Sequence, residues 1–111
     1  MTRPGGPGRR TDADQAVVAG IDVDRVAAAV VACPLVAGLV AGDHGTAATL
    51  LPGRRVVGVR VDDRDGGPAR IAVTVAARYG APLTRLVEQV REAVAVRAPG
   101  HPVDVAVTDV T

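Results

Sequence analysis

Two adjacent stretches, IAVTVAARYG (residues 71–80) and PLTRLVEQVREAVAVR (residues 82–97), decide how this chain folds. In the first, Ile71, Val73, Val75 and Ala77 alternate with Arg70, Ala72, Thr74 and Arg78, a period of two that predicts the longest strand of the protein. Gly80 breaks it. Pro82 then opens a helix at a position where its missing N–H is one of the donors that a helix start leaves unpaired anyway. Leu83, Leu86, Val87, Val90 and Val94 fall on one stripe of that helix, with Arg85, Glu88, Arg91 and Glu92 on the other side. The helix ends before Pro99 and Gly100. A final strand presents Val103, Val105 and Val107 on one face and Asp104, Ala106 and Thr108 on the other.

Working back towards the N-terminus, Val57, Val59 and Val61 alternate with Gly58 and Arg60, which predicts another strand. The cluster Asp62, Asp63, Arg64, Asp65, Gly66 and Gly67 is a loop by composition. Further upstream, Asp22 is a good N-cap, and Ile21 and Val26 have the spacing of a hydrophobic staple. Val23, Val26, Ala27, Val30 and Val31 recur at helical spacing until Pro34 stops the helix. Leu35 to Ala41 reads as a strand, Gly42 to Gly45 as a turn, and Thr46 to Leu51 as the returning strand of a hairpin. Met1 to Asp14 is rich in Gly, Pro and Arg and reads as a disordered tail, leaving 15–111 as one domain. Each strand has one apolar face and each helix one apolar stripe. The expected fold is therefore α+β: a two-layer sandwich with a mostly antiparallel sheet, both helices on its inner face, in the order α-β-β-β-β-α-β. Its outer face would carry Arg60, Arg70, Thr74, Arg78 and Thr108, which makes these five the candidate partner-binding residues.

Composition limits the chemistry. The 111 residues include 22 Val, 6 Leu and 2 Ile, with one Tyr and no Phe or Trp, so the core is built from small aliphatics. Val contributes at the low end of the roughly 1.5–3 kcal/mol of a buried aliphatic side chain, and self-association that buries more Val would add stability. There is no Ser and no Lys, which removes Ser nucleophiles, Schiff bases and the phosphate-loop lysine. A single Cys builds neither a structural zinc site nor an internal disulfide, and suits a reducing compartment. The net charge is only +1. No cofactor or metal is implied, and the residue inventory points away from catalysis.

On these segments the chain resembles the alkaline shock protein 23 family. Gly20 to Leu39 (GIDVDRVAAAVVACPLVAGL) is similar to its opening helix leading into a small residue and a glycine, here Ala37 and Gly38. Ile71 to Gly80, the helix from Pro82 and the terminal VDVAVTDV are similar to the family's second half. The resemblance implies a non-enzymatic, cytoplasmic bacterial protein linked to cell-envelope stress, which self-assembles and is held at the inner face of the membrane by a small membrane-anchored partner. It offers no catalytic residues; Gly38 and Gly80 match its pattern as points of chain reversal. Where many members of that family carry a charged tail, the expected final strand here runs to the last residues of the sequence, Asp109 to Thr111.

Other constellations read more simply. Asp62, Asp63, Asp65 and Gly66 look faintly like a calcium loop, but Pro68, Ala69, Arg70 and Ile71 stand where a bidentate Glu is needed, so a solvated turn is expected. His44 and His101 are far apart in loops without companion ligands. Cys33 closes an apolar helix face and reads as a buried small hydrophobe. Gly42-Asp43-His44-Gly45 has the GxxG form of a KH clamp, the basis of an alternative reading as a small KH-like single-stranded RNA-binding domain. Tyr79 as the sole aromatic and a charge of +1 argue against nucleic acid. Val26 to Gly42 is uncharged over seventeen residues, but Pro34 and its Ala/Gly content favour a buried helix and strand over a membrane span.

Overall fold

A computed structural model of the chain describes residues 16–42, 45, 47–63 and 66–111. The expected tail (1–14), and the turn and loop positions Asp43, His44, Thr46, Arg64 and Asp65, lie outside the described residues. The described part is an α+β fold in which two helices pack against a mixed β-sheet system.

The chain enters through a small hairpin of β1 (Val17–Val18) and β2 (Ile21–Asp22). Its two turn residues, Ala19 and Gly20, both have positive φ, 52° and 81°, the handedness that matches a tight hairpin. Helix α1 (Val23–Val31) follows at once, capped by the Asp22 carboxylate, which accepts from the Arg25 N–H at 3.1 Å. Val23, Val26 and Val30 are buried, and Ile21 joins them in the core, as the staple spacing requires. The expected start of α1 at Asp22 and its stop ahead of Pro34 are both seen.

Strand β3 (Val36–Leu39) is followed by the hairpin β4 (Ala48–Leu51) and β5 (Arg54–Val57), then by β6 (Val59–Asp62) and β7 (Arg70–Ala77). Here the expected element order needs correcting. β3 does not form a hairpin with β4; it pairs antiparallel with β7, while β4 pairs with β5. The turn Leu51-Pro52-Gly53-Arg54 is responsible: Pro pre-sets φ, and Gly53 takes a φ of 75°, so the chain reverses there. The expected single strand from Val57 to Val61 is likewise broken at Gly58, with φ of 87°. The order over the described residues is thus β-β-α-β-β-β-β-β-α-β.

β7 organises the main sheet. Ile71 donates its N–H to the Pro102 carbonyl, so alternate residues of β7 bond towards β8 (Val103–Val110), which runs parallel to it. The residues between them bond the other way. There Thr74 donates to the Gly58 carbonyl at 2.8 Å and accepts from the Val40 N–H at 3.0 Å. β6 lies along the first half of β7 and β3 along the second, end to end on the same edge, and the 40–58 excursion loops out at Thr74 between them. Helix α2 (Leu83–Arg97) connects the parallel strands β7 and β8, as such a crossover must. It packs on α1 and β8, whereas α1 packs on β3. Ile71, Val73, Val75, Leu86, Val90 and Val94 form the centre of the core. The terminal members of the two stripes, Val31 and Leu83, remain about half exposed.

Candidate functional site

Of the five outer-face candidates, Arg60, Arg70, Arg78 and Thr108 stay at least partly exposed, whereas Thr74 is buried. Arg60 is exposed at the start of β6 and donates from Nε to Asp62 Oδ1 at 3.1 Å. Arg70 sets one nitrogen of its guanidinium against both oxygens of Asp104 on β8, at 3.0 and 2.9 Å, a pairing that spans the parallel ladder. Arg78 donates from Nε to the Pro34 carbonyl at 3.0 Å, which fastens the end of β7 to the turn after α1. Arg70 and Arg78 thus join separate segments at the surface, whereas the Arg60 pair lies within one strand. Thr74 departs from expectation. It is 8 % exposed, because the segment after β3 folds over it: a Cβ placed on Gly42 would lie 3.8 Å from Thr74 Cγ2. Thr108 is exposed, in the irregularity where β8 shifts register against Val75 and Ala76.

The sparse chemistry is distributed in the same structural way. Cys33 is buried, its Sγ donating to the Ala29 carbonyl at 3.6 Å, and burial pushes its thiol pKa up, away from a reactive thiolate. The His101 Nδ1–H donates to the Ala69 carbonyl at 2.8 Å and ties the start of β8 to the start of β7. Arg54, at the start of β5, forms a bidentate pair with Asp24 in the first turn of α1, at 3.1 and 2.7 Å. That guanidinium holds the Asp24 carboxyl below the usual carboxylate range. Among the described residues no three His, Cys, Asp or Glu side chains gather as a metal site would require. Nor is any described helix long and apolar enough to cross a membrane.

What the structure does bring together is apolar surface along α2. On the side facing α1, a shallow groove is lined by Ala29, Cys33, Pro34, Gln89, Ala93 and Val96. On the opposite side a second groove is lined by Leu83, Thr84, Val87, Glu88 and Arg91. β8 packs against the same helix and, among the described residues, is paired with β7 alone. Its Val103, Val105 and Val107 are only partly buried. The side-chain alternation of this strand is plain in the sequence. That its outer edge is left open is a matter of sheet order, which local pattern does not carry.

Compared with known proteins, the chain matches no family model, no curated protein and no solved structure.

Proposed function

We propose that the chain is a non-enzymatic, self-assembling protein of the alkaline shock type, associated with the cell-envelope stress response and held near the inner face of the membrane by a protein partner. The proposal includes the finer architecture, a two-layer sandwich with both helices on one face of the sheet and an arginine-bearing face opposite. The observation that carries it is the pattern of exposure. Arginines of the candidate face already have partners within the chain (Arg60 with Asp62, Arg70 with Asp104, Arg78 with the Pro34 carbonyl), while apolar groups at the ends of α2, Leu83 and Val96, stand 50 % and 75 % exposed. Exposed apolar patches rimmed by charge mark surfaces for other proteins.

The KH-like alternative is less favoured on the same ground. Single-strand binding draws on unpaired cations and stacking platforms, and Arg60 and Arg70 already face carboxylates. Gly42 and Gly45 also sit between β3 and β4, whereas a KH clamp joins two helices. The test is mild affinity purification of the tagged protein from its native cells, with membrane fractionation. A small membrane protein should co-elute, from a pool that resists high salt and is released by detergent. Nuclease-sensitive association with RNA, and nothing in the membrane fraction, would overturn the proposal in favour of RNA binding.

A further inference from the structure

β8 is a strand of eight residues at the limit of the sheet, and its backbone geometry assigns each group a direction. Because Ile71 donates to the Pro102 carbonyl in a parallel ladder, the N–H and C=O of Asp104 and Ala106 turn towards β7. Those of Val103, Val105 and Val107 turn to the far edge, which no strand pairs among the described residues. Their side chains belong to the inner face, beneath α2, yet all three stay partly exposed. The helix that packs on β8 itself leaves an apolar strip on one side, Leu83 exposed and Val87 partly buried, beside Glu88 and Arg91. A further strand laid along β8 would satisfy the open backbone groups and fill the strip, provided that it alternates apolar and small or polar residues.

β8 itself has that pattern. Resting on the self-association proposed above, we propose that the occupant is a second copy of this chain, paired β8 to β8 antiparallel about a two-fold axis so that two sheets join into one. Three observations favour a like partner over a foreign strand. The run Val103–Val107 is self-complementary: centred on Val105, each Val103 meets the other copy's Val107, and Asp104 meets Ala106. Sliding the axis to Asp104 would set two carboxylates directly opposite, which is unfavourable. The rim is self-complementary too. Glu88 and Arg91 lie three residues apart on an exposed helix side, so a two-fold partner can bring Arg91 of one copy to Glu88 of the other. Finally, the register shift at Thr108 interrupts the alternation just past Val107, before pairing with β7 resumes at Asp109, so Val103–Val107 is the uninterrupted run that a partner strand meets.

Sedimentation equilibrium on the full chain tests this, with circular dichroism to verify folding of each variant. The wild-type chain should dimerise. Val105→Lys, which points a charge inward at the centre of the pairing, should weaken the dimer by at least about tenfold. Arg91→Glu, which sets acidic rims against one another, should also weaken it, and Glu88→Arg with Arg91→Glu should recover most of the loss. That swap decides the matter even if Val105→Lys fails to fold. A dimer indifferent to Val105→Lys and Arg91→Glu would leave self-association standing and overturn this surface. A chain that is monomeric at every concentration would sink both. A monomer that instead takes up a labelled peptide of residues 102–108 would give the edge to a foreign strand and overturn the two-fold pairing.

Discussion

Gly58 shows how a single position can govern the path of the chain. Its φ of 87° lies where residues with a side chain are strained, and a Cβ there would meet Leu39 Cβ at 2.7 Å and the Thr74 carbonyl oxygen at 2.9 Å. Both neighbours are held in the sheet: Thr74 is bonded on that edge to Val40 and Gly58 itself, and Leu39 is paired with Val75. Gly58→Ala should therefore lower stability by more than about 2 kcal/mol, a fall in Tm on the order of 10 °C for a domain of this size. Gly38→Ala is the control. It has no heavy atom within 4 Å of the added methyl and no positive φ, and should change stability by less than about 0.5 kcal/mol. A Gly58→Ala melt that overlays wild type would show that the close approach of β3 and β6 at Thr74 is not needed for folding.

Among the elements, the β4–β5 hairpin is the one that local pattern describes least well. It is anchored by Leu51 and Val56 in the core, by the Thr49 hydroxyl donating to the Val59 carbonyl, and by the Arg54–Asp24 pair to α1. The last of these has a pH signature. Arg54 depresses the Asp24 pKa in the folded state, so the unfolded chain binds the proton more readily. The contribution is present above the unfolded-state value and is lost as pH falls through the lower folded-state value. Asp24→Asn should accordingly flatten part of the acid limb of stability against pH and leave the neutral-to-alkaline region parallel to wild type. Both groups are well exposed, so the effect will be small and will fade in high salt. An acid limb identical in the variant would mean that the pair does not persist in solution.

The same elements show what local sequence can and cannot say. Helices α1 and α2 and strands β7 and β8 were legible because each joins a clear period to a boundary residue: Asp22, Pro34, Gly80 or Pro99. The hairpin signal at Pro52–Gly53 was present too, yet the apolar flanks on both sides of Gly42–Gly45 suggested a nearer reversal. Of the candidate surface, the arginines were legible as outward-facing but their partners were not. Asp104 reaches Arg70 only because β8 lies parallel and in register with β7.

For the whole molecule the core poses the question of stability. Its fully buried side chains are mostly Val, with Ile21, Ile71 and Leu86 the largest, and each contributes less than an aromatic would. Burying Val103, Val105 and Val107 against a second copy would add to the same apolar total. An associating native state is stabilised by mass action, so Tm should rise as protein concentration is raised over roughly a hundredfold range. A Tm that does not move with concentration would indicate a monomer that unfolds alone.

Composition and periodicity by themselves determined the class: an α+β chain with two amphipathic helices, alternating strands and a Val-based core. These properties follow from near neighbours, since a period of two or 3.6 and a cap are written within a few residues of one another. Only the tertiary structure decided that β3 and β6 share one edge of β7, that Thr74 is covered, that Arg60, Arg70 and Arg78 have partners within the chain, and that β8 is parallel to β7 with a far edge that no described strand pairs. Those outcomes depend on which distant segments close upon each other. Strands of similar alternation are interchangeable by local pattern, and the choice among them is made by turn geometry at Gly53 and Gly58 and by packing against α1 and α2.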